Sequence, residues 1–542
     1  MPYGKQVPDG RDAMAGLHSS MVQSGATRRS RRTAAGWRLL ALGLLLLACA
    51  PTRVRRDIVA PSQATTLDRR SPYLKAHLRT GYVYVLDSWG VDSAGTLVTG
   101  RGSLLTPDRE VAGQGEFRLP VDSVALFETN LLQRGGGITA LSVMTGITAA
   151  VTAVCIADPK TCFGSCPTFY VTDSAGPYLH AEGFSASIAP ALEATDVDAL
   201  YRASVTGREF RLHLKNEALE THVIRHADVL ALRRPPGGRV LLTPDGQFRA
   251  ATMLRPPTAC VSADGDCLEA VTWFDGRERT SLADSIDLAT REVIDLEFDA
   301  AGSGDFGLVI GARQSLMSTF LLYQTYAYLG THASSALAAL SGAGPNARDQ
   351  VDGVGRLLGR IEVLAPDSAG EWVPVGSVGE TGPLAADTKV VGLPPVEAGP
   401  LRLRLRLTRG MWRIGYLALA RLGEPLAPIR VAPARVESGG GADSSAWRAL
   451  VDTGASLVTL PGDDYDLVYR LPPEPAGYEL FLETRGYYLE WMRREWLAEE
   501  DLGAAARILF DPAAALRTLA PVFKRHEADM EKRFWNSRYV RR

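Results

Sequence analysis

The run LRLRLRL, Leu401 to Leu407, leaves its backbone one regular choice. Strict alternation matches the two-residue repeat of a β-strand, whose successive side chains point to opposite faces. A helix would scatter the leucines around its circumference. As a strand, the run puts four leucines on an inward face, and Arg402, Arg404 and Arg406 outward. GRIEVLA, EWVPVGSV, TKVVGL and MWRIGYLALARL flank it at regular spacing. The spacing predicts a β-sandwich over 355–475.

The rest of the chain extends the same reading. GYVYVLDSW, TLVTGRGSLL, GEFRLP and SVALFET follow one another with Gly turns, and predict a small barrel-like β unit over 72–132. Residues 161–345 read as a β-rich central domain. Within it, Arg313–Leu329 is apolar on nearly every side, which predicts a helix buried between layers. Residues 476–542 read as a helical tail, with a helix start at Asp511-Pro512. The expected fold class is mainly β with helical elements (α+β). The chain carries 46% hydrophobic and 22% charged residues with a net charge of −2, so no nucleic-acid partner is expected. Gly135–Ala157, inside an apolar Gly/Thr-rich segment at 133–160, holds no charged side chain; a covered hairpin or helix and a membrane insertion both stay open.

The N-terminus sets the compartment. TRRSRR, Thr27–Arg32, precedes GWRLLALGLLLLACAP: a basic stretch, an apolar run too short for a stable span, then Cys49. LLAC, Leu46–Cys49, resembles the lipobox of bacterial lipoproteins. The resemblance implies that residues 1–49 carry the signal peptide, that cleavage falls before Cys49, and that the Cys49 thiol is acylated. Met14 and Met21 are alternative starts. Ala50, where a retention Asp would stand, implies the outer membrane. Residues 50–71 are polar and read as a flexible tether. The membrane is then a partner through the N-terminal lipid.

Outside the cytoplasm disulfides are permitted. CVSADGDC predicts Cys260–Cys267, and CFGSC admits Cys162–Cys166 with Cys155 as competitor. The block CFGSCPTFY, Cys162–Tyr170, resembles uncharacterised bacterial envelope lipoprotein families, which bring no known reaction with them.

Catalytic and metal motifs are sparse. There is no G-x-S-x-G, no Walker A and no G-x-G-x-x-G opening a helix. His222 and His226 stand four apart near Glu217 and Glu220, but Val223 replaces the H-E-x-x-H glutamate and the segment reads as strand. No metal and no cofactor are expected. DTGAS, Asp452–Ser456, resembles the catalytic loop of retropepsin-like aspartic proteases. That chemistry needs two carboxylates sharing a proton, and so a dimer here, because no second D-[TS]-G occurs. Read by its neighbours, the stretch is a turn in a hairpin. The expected function is therefore a lipid-anchored cell-envelope protein with a structural or binding role toward a protein or glycan ligand, with no catalytic residue. The alternative is an aspartic protease using Asp452.

Overall fold

Alternating apolar residues close into sheets only when distant strands find each other, and here they pair across most of the chain. The computed structural model describes residues 53–133 and 166–538, apart from 60, 72, 79–81, 106–110, 174–175, 204, 206, 334–335, 338–339, 341–352, 380, 475–476 and 492–493. Cys49, Cys155, Cys162 and the Gly135–Ala157 segment lie outside the described residues.

The N-terminal unit is a six-stranded antiparallel sheet. In spatial order its strands are Arg53–Val59, Val124–Gln133, Tyr73–Leu78, Val83–Val91, Leu97–Leu105 and Val111–Pro120. It encloses Leu74, Val98, Val124 and Phe127. Two expectations are corrected. The sheet does not close on itself, so it is not a barrel. And much of the expected 50–71 tether is structured: Arg53–Val59 pairs with Val124–Gln133, and Pro61–Thr66 is a 3-10 turn. The polar residues of RVRRDIV hid a strand whose partner lies far along the chain.

The expected boundary between 161–345 and 355–475 also dissolves. One sheet joins Thr168–Asp173, Gly176–Glu182 and Glu209–Lys215 to Pro433–Ser438 and Asp464–Arg470. A second joins Glu220–Arg233 and Ala194–Ala199 to the two sides of Tyr478–Glu490. The two sheets share a core of Phe169, Leu212, Leu214, Val229, Leu467 and Leu482. The sandwich is thus built from strands on both sides of the expected boundary. Tyr478–Glu490, expected in the helical tail, is a strand. Its sequence YELFLETRGYYLE alternates, and thirteen residues of it lie against Glu220–Arg233.

A closed barrel stands at the centre: Arg239–Leu242, Phe248–Arg255, Trp412–Leu426, Phe306–Gln314 and Asp387–Gly392. Leu241, Ala251, Val309, Val390, Ala418 and Ala420 fill it. Small residues opposite branched ones, such as Ala418 opposite Val309, let five strands close around a packed interior. The outer face of the barrel packs against a third large sheet that contains Arg291–Ala300, Ile361–Pro366, Trp372–Val378 and Gly399–Thr408. Here the LRLRLRL expectation meets the structure: Leu403, Leu405 and Leu407 are buried. On the other face, Arg404 bonds Asp295 at 2.7 Å, Arg406 pairs with Glu362, and the Arg404 guanidinium lies 4.4 Å from the Trp372 ring centre. The arginine stripe is a paired, solvated sheet face.

The apolar helix begins at Met317, because Arg313 and Gln314 still belong to the strand before it. It buries Phe320, Tyr323 and Tyr326, and Phe320 packs against Phe523 of the helix Pro512–Asn536. That last helix starts where expected, with the Asp511 side chain accepting from Ala514 N and Pro512 in the first turn.

Candidate functional site

Charged side chains at alternating positions on a buried strand mark a place where the fold has accepted a cost. The strand Asp387–Gly392 does this at its start. Its even positions Thr388 and Val390 face the barrel interior, so Asp387 and Lys389 face outward, toward the strand Ala194–Ala199. Asp387 Oδ1 accepts from Thr388 N at 2.7 Å and Ala199 N at 3.2 Å. Lys389 Nζ lies 2.5 Å from Asp387 Oδ2 and donates to the Val197 carbonyl at 2.8 Å. Asp198 comes from the same strand and is buried; among the described residues its Oδ2 meets no hydrogen-bond donor. Burial, then the neighbouring Asp196 and Asp387 charges, push its carboxyl well above the usual aspartate range, and Lys389 only partly offsets them.

Glu182 braces the loop that leads into this strand. Its Oε2 accepts from Leu384 N at 2.7 Å and Ala385 N at 3.1 Å. Its Oε1 lies 2.8 Å from Cys166 Sγ.

Next to the carboxyls is a small cavity at the barrel mouth, lined by Tyr201, Arg239, Leu254, Phe274, Thr388 and Tyr416. Arg239 grips Glu479 with two hydrogen bonds, at 2.7 and 3.1 Å, and its guanidinium lies 4.6 Å from the Tyr201 ring centre. Burial opposes the Arg239 charge, but Glu479 more than compensates and the guanidinium pKa is raised. Tyr201 donates to the Val240 carbonyl at 2.8 Å; burial, then Glu479 and Asp387, lift its phenol well above the ordinary value. Phe274 stacks on Tyr416 at 3.9 Å between ring centres, and both Phe274 and the adjacent Trp273 are exposed. An aromatic ledge over a fixed cation–carboxylate pair can hold a ring by its apolar face and orient its polar groups.

The residues singled out from sequence fall elsewhere. Cys260 and Cys267 are joined by a disulfide. Cys166 is buried, while its expected partner Cys162 lies outside the described residues. Asp452 does not sit in a strand-to-strand turn: the helix Ser444–Val451 leads into it, capped at its start by Asp443. WRAL reads as the end of an amphipathic turn once Asp443 is seen as a cap. Asp452 is exposed, and its Oδ1 accepts from Gly454 N at 2.9 Å within its own loop.

His222 and His226 do lie on a strand, but a bulge after Ile224 sends them to opposite faces. His222 is fully buried, and desolvation lowers its pKa to about 3, so the ring is neutral. It bonds Glu220 Oε1 at 2.7 Å and Thr459 Oγ1 at 3.0 Å, and Asn216 donates to the same Thr459 hydroxyl at 3.3 Å. His226 instead joins Asp228 and Glu483, with ligand atoms all within 4.8 Å of one another.

No protein-family model and no curated protein matches the chain. Among solved structures, a rhamnosidase from Novosphingobium sp. PP1Y aligns at 11% identity with a TM-score of 0.21, over 67% of this chain and 28% of that one. The chain thus spans under a third of that protein, and at this score the likeness carries neither fold nor function.

Proposed function

We propose that this is a lipid-anchored cell-envelope protein with a binding role, held at the outer membrane through Cys49 and presenting the barrel mouth to a glycan. The observation that carries the anchor is the order basic stretch, short apolar run, Leu46–Cys49. An acylated N-terminal cysteine gives stable attachment where one chain alone would bind only marginally. What supports a glycan as ligand is the pairing of the Phe274–Tyr416 stack with the Arg239–Glu479 ion pair. Sugar rings offer apolar C–H faces and rims of hydroxyls, which the exposed Phe274 ring and the partly exposed Arg239 guanidinium could meet.

The Asp452 geometry does not favour the protease reading. An exposed aspartate at a helix C-terminus lacks the enclosed, shared-proton setting that such chemistry requires. The anchor is tested by growing cells with a labelled fatty-acid precursor: label on the wild type and none on Cys49→Ala is expected.

A further inference from the structure

Glu483 stands directly opposite Asp228 in the ladder between Glu220–Arg233 and Tyr478–Glu490. Facing side chains in such a pair start about 5 Å apart at Cβ. Two like charges placed there repel unless something cationic sits between them. His226 precedes Asp228 by two residues, beyond the bulge, so it shares that face; its Nε2 lies 3.1 Å from Glu483 Oε1. The cation now in place is Arg430, which donates to Asp228 Oδ2 at 3.0 Å and grips both oxygens of Glu483.

We propose that His226, Asp228 and Glu483 form a divalent-metal site, with Arg430 as the displaceable cation that keeps it closed. The donor set is one imidazole nitrogen and two carboxylates, which suits zinc or manganese. Metal–ligand bonds of about 2.0–2.2 Å let one ion bridge donors up to about 4 Å apart, so small side-chain turns bring all three into contact. The carboxylates are held on two hydrogen-bonded strands, with Asp228 and Glu483 largely shielded and His226 open to solvent on one side. Three protein ligands leave a coordination position for water or ligand.

Arg430 is suited to leave. It rises from Ile429–Val431, a three-residue strand at the sheet edge, and its side chain is 52% exposed. A divalent ion brings twice its charge and also recruits His226. The sequence expectation of no metal weighed His222 with His226; the actual partner, Glu483, is 257 residues from His226.

The test uses untagged full-length protein in detergent, stripped with chelator and titrated with Zn²⁺ against a chromophoric competitor. One equivalent should bind the wild type. Arg430→Met should bind at least tenfold tighter, and His226→Ala at least tenfold weaker. Arg430→Lys, which keeps a charge but loses the two-pronged grip, should fall between wild type and Arg430→Met, and it replaces Arg430→Met if that variant does not fold. Co²⁺ should give a visible absorption band in the wild type that is lost in His226→Ala. Equal affinity of wild type and His226→Ala, or no tightening when Arg430 is replaced, would overturn the site.

Discussion

Lys389 Nζ sits 2.5 Å from Asp387 Oδ2, and with that contact its ammonium is committed to that carboxylate. Asp198, on the neighbouring strand, is left to resolve its burial by keeping a proton. The strand Ala194–Ala199 is therefore fastened to the barrel through charge: Val197 O to Lys389, Ala199 N to Asp387, and a neutral Asp198 between them.

A pH dependence follows. The folded pKa of Asp198 lies above its unfolded value, so the folded state binds the extra proton. Its contribution is full below the unfolded value of about 4, and is lost as pH rises toward the folded pKa. Asp198→Asn keeps the shape without the proton. It should raise the urea midpoint at pH 8 by the equivalent of about 1 kcal/mol or more and change it little at pH 4. A variant less stable than wild type at pH 8 would contradict the assignment.

The aromatic ledge predicts a binding defect without a folding defect. Phe274→Ala removes one member of the stack from an exposed position, so stability should change by less than about 1 kcal/mol. Binding to purified envelope glycan, measured by calorimetry, should fall at least tenfold, about 1.4 kcal/mol. Unchanged glycan affinity in Phe274→Ala would remove the barrel mouth from the account.

Glu479 holds a cation that borders the cavity. Glu479→Gln leaves Arg239, itself about one-third exposed, without its carboxylate. Partial exposure tempers the cost of an unpaired charge, and a loss of about 1–3 kcal/mol in chemical unfolding is expected. Glycan affinity should fall as well, because the guanidinium loses its fixed orientation.

Asp452→Asn should be nearly silent. The amide oxygen can still accept from Gly454 N, so stability should shift by less than about 0.5 kcal/mol. Loss of a peptidase activity in that variant would restore the protease reading.

Much of the fold was legible where local pattern and burial agree. LRLRLRL, the apolar helix ending at Leu329, the Asp511-Pro512 start and the Cys260–Cys267 bridge depend on near neighbours. What was hidden is long-range pairing. Nothing in YELFLETRGYYLE names Glu220–Arg233 as its partner, and aromatic residues at its end drew the reading toward helix. The domain boundaries failed for the same reason, since each half of the sandwich borrows strands from the other. The site was less legible still. Charges at alternating positions in ATDVDA and DTK signal buried polar work on a strand, but only the fold sets Asp198 beside Asp387, or Glu483 beside His226. DTGAS misled because a motif's letters carry chemistry only in their backbone setting, and a helix leads into it here.

Mass spectrometry of the mature N-terminus decides whether the protein is anchored to the envelope through Cys49. A chain that begins at Cys49 and carries a diacylglyceryl thioether together with an N-acyl group is expected. An unmodified Cys49 within a longer chain would contradict it.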